Sequence, residues 1–141
     1  MEERLLNMIC VGCPVGCDIK VAVEDTKVLS VEGNNCPRAL EFAKAEVANP
    51  TRVFATTVRV SGGKLPVCPV RSRQAVPKNR LFDISREVAR LVVPAPVEVG
   101  QVILPDACGT GVDIVASRDL KTEEESAYWK NRSLYAIPTG C

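Results

Sequence analysis

The sequence predicts an α+β fold, in which a small module of cysteine loop, hairpin and helix is followed by a β-rich module with one helix. Three observations support this prediction. Apolar and polar residues alternate over 18–24 and again over 27–32, apolar residues recur at helical spacing after Pro37, and the chain beyond Pro50 is rich in Val and Thr. With 141 residues, the chain can form one domain or two small ones.

The first module is predicted to contain a cysteine loop, a hairpin and a helix, in that order. In the hairpin, the run 18–24 places its apolar residues on one face, and the run 27–32 returns after a two-residue turn. The Gly-Asn-Asn sequence at 33–35 closes the hairpin. A helix then begins near Pro37, which suits a first helical turn, and ends before the Asn-Pro pair at 49–50.

The second module is predicted to combine strands with one helix. Its elements are strands over 52–60 and 65–71 joined at Gly62-Gly63, a helix between Lys78 and Pro94, and strands over 97–104 and 112–116. The charges divide the chain in the same way, into 1–50 with a net charge of −3, 51–118 with +5, and 119–141 with −1. We therefore expect an acidic cysteine-bearing module, a basic β-rich module, and a C-terminal tail that contacts a partner.

The composition excludes several classes of function. The chain has no histidine, which removes Ser/His/Asp and Cys/His relays, HExxH zinc proteases and imidazole acid–base chemistry. Six aromatic residues and a net charge of +1 disfavour nucleic-acid binding. The longest apolar stretch, 91–99, is interrupted by two prolines, and the start is too acidic and broken for a signal peptide. We expect a cytoplasmic protein without a membrane span.

The most informative residues are Cys10, Cys13, Cys17 and Cys36, a C-x2-C-x3-C motif followed by a fourth cysteine. In a reducing compartment, clustered thiols are metal ligands rather than disulfides. The first three cysteines lie within eight residues, so one short loop can direct three sulfurs inward. Each arm of the hairpin runs about 23 Å, so the returning arm brings the fourth sulfur back to the other three. These four residues are therefore the predicted metal ligands.

The choice of metal lies between an iron–sulfur cluster and zinc, because thiolates select these two and no imidazole is present. Structural zinc usually takes two separated pairs of ligands, whereas three ligands from one tight loop and a remote fourth are typical of a [4Fe–4S] cubane. We predict that 1–50 is an iron–sulfur module with four cysteine ligands, with zinc as the alternative. A third interpretation treats the cysteines as small buried apolar residues. Cys68, Cys108 and Cys141 share no spacing and are predicted to be core or tail residues.

Two glycines and one basic residue are expected to support this site. Gly12 and Gly16 are expected to offer positive φ where the loop curls, and backbone amides that approach the sulfurs. A cubane with four thiolates carries negative charge, so each donated hydrogen bond raises its reduction potential. Arg38, two residues after Cys36, is positioned in the sequence to add to this effect.

The first 55 residues resemble the N-terminal iron–sulfur domain of molybdopterin oxidoreductases. The shared features are C-x2-C-x3-C, a short hairpin, a Gly before the fourth cysteine, a basic residue two positions after it, and a helix closing at Asn-Pro-x-Arg (49–52). The usual Gly after the basic residue is Ala39 here, and the domains that hold molybdenum and pterin are missing from this chain. This resemblance implies a [4Fe–4S] cluster held by four residues, with a basic residue beside it: Cys10, Cys13, Cys17, Cys36 and Arg38.

Over nearly the whole chain, the sequence is more similar to a family of small bacterial and archaeal proteins of unknown function. The similarity lies in CxxCPxGCxI over 10–19, TTVRV over 56–60, VPK over 76–78, and PVEVGQVI with GTGVDIVAS within 96–117. Members are typically encoded beside an FAD-dependent glycerol-3-phosphate dehydrogenase-like protein and a second FAD/NAD-type oxidoreductase. The resemblance implies an iron–sulfur subunit with these two flavoproteins as partners.

The residues themselves favour the same role. The sequence has no GxGxxG motif, no Walker loop and no general base that spacing singles out, so flavin and substrate are expected on other subunits. The predicted function is single-electron transfer between flavin centres or to an acceptor, by a subunit that is not itself catalytic. The alternative is a zinc-stapled assembly subunit without a redox role.

Two regions are candidates for partner contacts. One is a basic segment, which is more often a solvated face than a docking surface: Arg71, Arg73, Lys78, Arg80, Arg86 and Arg90. The other consists of the tail aromatics Tyr128, Trp129 and Tyr135, and Trp and Tyr are favoured interface anchors. We expect the tail to be the better interface candidate.

Overall fold

The computed structural model describes residues 2–33 and 36–123, and this part of the chain is a mixed α+β structure with two α-helices. The α+β prediction is thereby confirmed. The elements, in chain order, are β1 (Glu3–Ile9), β2 (Asp18–Glu24), β3 (Lys27–Glu32), α1 (Pro37–Ala48), β4 (Thr51–Arg52), β5 (Ala55–Ser61), β6 (Val67–Ser72), β7 (Val76–Pro77), a 3-10 turn (Lys78–Arg80), α2 (Leu81–Arg90), β8 (Val92–Pro94), β9 (Val102–Leu104), a second 3-10 turn (Ala107–Gly109) and β10 (Ile114–Ala116).

The chain forms two compact units. The first comprises Met1–Phe54 and Gln74–Phe82, and the second comprises Ala55–Arg73 and Asp83–Cys141. These bounds differ from the predicted second module, which starts at residue 51 and includes all of 51–118. The difference arises because β4 pairs antiparallel with β7, and the Lys78 N–H donates to the Pro50 carbonyl at 2.8 Å. This long-range pairing returns a later segment to the first unit.

A three-stranded antiparallel sheet, in the order β1-β2-β3, is the base of the first unit. The predicted hairpin is confirmed, with β2 and β3 over the expected residues. β1 was not predicted as a strand, because Leu5-Leu6 and Met8-Ile9 are adjacent apolar pairs that interrupt a period of two. It nevertheless pairs with β2 along its whole length, ending with Ile9 opposite Asp18.

Helix α1 covers one face of this sheet. It starts at Pro37 as predicted, after the N-cap residue Cys36, and its last residue precedes Asn49. Ala39 and Ala43 are four positions apart, so both lie on the buried side of the helix. The core cluster that includes these two residues is small and consists of Cys10, Ile19, Val21, Val23, Ala39 and Ala43.

The second unit contains a five-stranded sheet in the order β8-β5-β6-β10-β9. Its pairings are antiparallel except for β5 with β8, which is parallel. The period of two in β5 and β6 buries Val58, Val60, Cys68 and Val70. The sheet therefore has a core of alternating strand residues.

The strands predicted over 52–60, 65–71, 97–104 and 112–116 all differ in extent from those of the structure, and the one over 97–104 is shortened most. Of the predicted residues 97–104, β9 covers only the last three. Gly100 has a φ of +81°, and the Gln101 N–H donates to the Glu98 carbonyl at 3.0 Å, so the chain turns at this point. Val97 makes an isolated bridge with Leu120 instead.

No helix in residues 2–33 and 36–123 combines the length and the apolar character needed to cross a bilayer. The predicted partner contacts Tyr128, Trp129 and Tyr135 lie outside the described residues, as does Cys141. Asn34 and Asn35 of the predicted closing turn also lie outside them.

Candidate metal centre

Three of the four predicted ligands lie in the connection between β1 and β2. The two strands end with Ile9 opposite Asp18, and the next pair outward is Cys10 and Cys17. The Cys10 N–H donates to the Cys17 carbonyl at 2.8 Å, which extends the ladder by one step. Directly opposite residues of an antiparallel ladder share a face of the sheet. Cys10 and Cys17 therefore stand at one register position, and Cys13 lies in the turn between them.

The fourth predicted ligand, Cys36, is the N-cap residue of α1 and lies near the turn between β1 and β2. Cys10 is 5% exposed and belongs to the buried core, whereas Cys36 is half-buried and packs against that core. Cys13 and Cys17 are also half-buried. The structure thus places all four cysteines at one end of the three-stranded sheet, as the sequence analysis expected of the returning hairpin arm.

Gly33 is what allows the chain to return so closely. It follows β3 with a φ of +105°, and a Cβ atom on it would lie 2.6 Å from the Asp18 carbonyl oxygen. No side chain fits at that distance, and L residues avoid this φ. The chain leading to Cys36 therefore passes directly against the residue that follows Cys17. The sequence pattern predicts only a closing turn at this glycine, not this close approach.

The role expected for Gly12 differs from the role the structure gives it. Gly16 has a positive φ of +68°, as predicted, but Gly12 is not among the glycines with positive φ. A Cβ atom on Gly12 would lie 3.3 Å from Arg38 Cβ, 3.4 Å from the Arg38 carbonyl oxygen and 3.5 Å from Cys10 Sγ. The prediction of positive φ was wrong for Gly12, and close approach to α1 explains the glycine.

The first turn of α1 gives this end of the sheet a favourable field for negative charge. Cys36 is the N-cap residue, and its carbonyl accepts the Ala39 N–H at 3.0 Å. The first turn of the helix contains no acidic residue. The amino end of a helix carries a partial positive charge, which stabilises anions such as thiolates. Arg38 adds a full positive charge in the same turn.

The four thiols are not gathered to ligand distances. Within residues 2–33 and 36–123, no three Cys, Asp or Glu side chains are close enough together to hold a metal ion. The set nevertheless fits a thiolate-bound group in two respects, because its donors are all sulfur and they share one end of one sheet. If a metal binds, these four residues would hold it. The turn over 11–16 is the part that would have to close around it.

The two described cysteines of the second unit lie in different settings. Cys68 is fully buried in β6, with its Sγ atom 3.7 Å from the Arg118 carbonyl oxygen. Burial raises the pKa of the Cys68 thiol above its usual value. Cys108 is half-buried in a 3-10 turn. Cys68 is thus a core residue, as predicted, whereas Cys108 lies in a turn rather than in the core or the tail.

The basic segment is divided between the units. Lys78 and Arg80 belong to the first unit, whereas the other four belong to the second. Two of those four approach carboxylates, with Arg73 to Asp113 at 3.9 Å and Arg86 to Asp83 at 3.8 Å. Docking through this segment stays a prediction.

An open groove of about 520 Å³ borders the cysteine turn, and Val11 and Phe42 are among its apolar lining residues. Its polar wall contains an ion pair that the sequence analysis missed. Arg52 Nη1 donates to Glu46 Oε2 at 2.9 Å, and a second hydrogen bond joins Nη2 to Oε1. These bonds lower the pKa of the Glu46 carboxyl. The last residue of the Asn-Pro-x-Arg sequence thus ties the chain after α1 back to the helix.

Comparison with known proteins gives one family. A family model described as "Protein of unknown function (DUF1667)" matches residues 37–118, which is more than half of the chain and begins one residue after Cys36. A search of the curated proteins finds no match. An NMR structure of Clostridium perfringens protein CPE0013 is 30% identical, with a TM-score of 0.49, and the match covers 55% of this chain and 93% of that one. The chain therefore belongs to the DUF1667 family of proteins of unknown function.

Proposed function

We propose that this protein is an electron-transfer subunit that holds a [4Fe–4S] cluster on Cys10, Cys13, Cys17 and Cys36. The observation that carries the proposal is the shared position of these residues. Cys10 and Cys36 contact one buried core, and the backbone of Cys17 bonds to that of Cys10. Four sulfurs without histidine favour a thiolate-bound group, and three ligands from one short loop with a remote fourth favour a cubane.

The surrounding charges support the same assignment. A cluster held by four thiolates is anionic, and it would lie beside the first turn of α1 and Arg38. Positive charge near a cluster stabilises its reduced form more than its oxidised form, because the reduced form is the more negative one. The residues around the cysteines would therefore bind the cluster and set its potential.

The protein's own contribution is electron transfer rather than substrate chemistry. A bound cluster supplies one-electron redox chemistry. The sequence has no dinucleotide-binding fingerprint, which supports placing flavin and substrate on partner subunits. The half-burial of Cys13 and Cys17 leaves this end of the sheet accessible to a partner.

The proposed partners are an FAD-dependent dehydrogenase subunit of the glycerol-3-phosphate dehydrogenase type and a second FAD/NAD-type oxidoreductase. They are proposed from the resemblance to small proteins encoded beside such enzymes. Between two flavins, a one-electron carrier accepts electrons singly from a two-electron donor. The complex would oxidise the substrate, and this subunit alone would oxidise none.

The first experiment is anaerobic purification of the full chain, followed by iron, sulfide and zinc analysis and a dithionite titration. We expect brown protein with about four iron and four sulfide per chain, bleached by dithionite. One zinc per chain without colour would replace the redox role with a zinc-stapled assembly role. Protein that binds neither metal after reconstitution would overturn both.

The second experiment tests the partners. Affinity purification from the native cell under anaerobic conditions should recover flavoprotein subunits, identified by mass spectrometry and by FAD content. Robust dehydrogenase turnover by this chain alone would contradict the proposed division of labour. Recovery without flavoproteins would contradict the proposed partners.

A further inference from the structure

Gly12 marks a close contact between the cysteine turn and α1. A Cβ atom on it would meet the Cβ and the carbonyl oxygen of Arg38 at 3.3 and 3.4 Å, and Cys10 Sγ at 3.5 Å. The distance to Arg38 Cβ is tighter than nine in ten of the contacts that real Cβ atoms make. Because Gly12 has no Cβ atom, Cys10 Sγ and the backbone and Cβ of Arg38 can both lie close to it.

The other glycine of the turn serves as a natural contrast. Gly16 has a φ of +68°, and a Cβ atom there would meet only Ile9 Cγ2, at the ordinary distance of 3.9 Å. An alanine at Gly16 would strain the backbone without crowding a neighbour. An alanine at Gly12 would crowd α1, and its φ lies outside the region that alanine avoids. Alanine substitutions at the two positions therefore distinguish the effect of backbone strain, at Gly16, from the effect of crowding α1, at Gly12.

Arg38 is available to act on a charge at this site. Its side chain is exposed and forms no ion pair with another residue of the described ranges 2–33 and 36–123. Its Cα–Cβ bond starts from the first turn of α1, directly over Gly12. The distance between the turn and the helix therefore sets how near the guanidinium can lie to the Cys10 sulfur.

We infer that Gly12 is a positioning residue, which holds the cysteine turn against α1 so that the Arg38 cation lies beside the Cys10 sulfur and raises the reduction potential of the bound group. The effect on the reduction potential rests on the proposed function, whereas the contact between Gly12 and Arg38 does not. A larger residue at position 12 would move the turn away from the helix. Coulomb interaction weakens with distance, so the reduced form would lose stabilisation and the potential would fall.

The contact can be tested on metal-free protein by a double-mutant cycle in urea unfolding. Gly12→Ala should destabilise the wild-type background more than the Arg38→Gly background, because Arg38→Gly removes the Cβ atom that the new methyl group crowds. Gly16→Ala is the matched control and should cost the same in both backgrounds. An equal cost of Gly12→Ala in both backgrounds would overturn the contact.

The effect on the potential is tested by a second cycle on reconstituted protein, with Arg38→Met removing the charge but keeping the Cβ atom. Gly12→Ala should lower the midpoint potential in the wild-type background and leave it unchanged in the Arg38→Met background, with equal iron content throughout. The same shift in both backgrounds, or no shift in either, would refute the positioning role. Failure of the wild type to bind iron would instead refute the proposed function, and the metal-free cycle would still decide the contact.

Discussion

The cysteine motif of the first unit and Cys68 of the second occupy opposite kinds of position. In the first unit they lie in a strand-to-strand turn and at a helix N-cap, where three of the four are half-buried. In the second unit Cys68 lies within β6, as its second residue, and is fully buried. A thiol in a strand interior fills space in the core, whereas thiols in turns can converge on a ligand. Local setting, rather than residue type, separates the candidate ligands from the core cysteine.

The cores of the two units also differ, in size. The core cluster of the first unit has six buried residues, one of which is Cys10 itself. The second unit has a five-stranded sheet, and most of the fully buried Val and Ile side chains of the described residues belong to that unit. Small cores often require a metal or another crosslink to be stable. We therefore expect a bound metal to stabilise the first unit far more than the second.

The largest expected difference between the cysteines of the two units is in metal binding. Replacing Cys10, Cys13, Cys17 or Cys36 by Ser should each remove most of the bound iron, because a neutral hydroxyl is a poor substitute for a thiolate ligand. Iron and sulfide analysis with the visible spectrum measures the loss.

The cysteines of the second unit supply the controls for that experiment. Cys68→Ala and Cys108→Ala should retain the iron content and the spectrum of the wild type. Loss of iron in the Cys68→Ala variant would show that the ligand set has been assigned to the wrong cysteines.

A smaller effect distinguishes the units through two glycines with positive φ. Gly33→Ala in the first unit should lower the free energy of unfolding by about 3 kcal/mol, since it combines backbone strain with a clash against Asp18. Gly62 in the second unit has a φ of +66°, but a Cβ atom on it would meet no atom within 4 Å. Gly62→Ala should therefore lower the free energy of unfolding by only about 1 kcal/mol. Urea unfolding of metal-free protein measures both. A cost for Gly33→Ala no larger than that for Gly62→Ala would mean that the close pass at Asp18 is absent.

The smallest effect concerns pH. Burial raises the pKa of the Cys68 thiol in the folded state, so the unfolded chain loses this proton at lower pH. The contribution of the buried thiol to stability is therefore complete below a pH of about 8.5 and falls above it. The difference in unfolding free energy between wild type and Cys68→Ala should narrow between pH 7 and pH 10. A constant difference over that range would show that Cys68 ionises as readily in the folded protein as in the unfolded chain.

The sequence predicted those elements that local patterns determine. Strict alternation over 18–24 indicated β2, and Pro37 with the Asn-Pro pair at 49–50 indicated both ends of α1. β1 was missed because its apolar residues come in adjacent pairs. The pairing of β4 with β7 was missed because two-residue strands have no period and their partners lie far apart in the chain.

The sequence was sufficient to propose the four cysteines as ligands, which stays a prediction, but it did not identify the reasons for the glycines around them. Spacing alone singled out the four cysteines, and the hairpin prediction brought Cys36 back to the others. The reasons for Gly12 and Gly33 depend on which backbone passes beside them, and that is decided by tertiary packing. A glycine in a sequence marks a need for freedom or for space, and only the structure distinguishes the two.

The layout of the three-stranded sheet separates its two ends. Both connections that carry the candidate ligands leave from one end, and the opposite end is formed by the turn at Asp25-Thr26, between Glu24 and Lys27. A fluorophore or an affinity handle placed at that turn would be distant from every sulfur of the motif. The fold therefore offers an attachment point that leaves the end carrying the cysteine motif undisturbed.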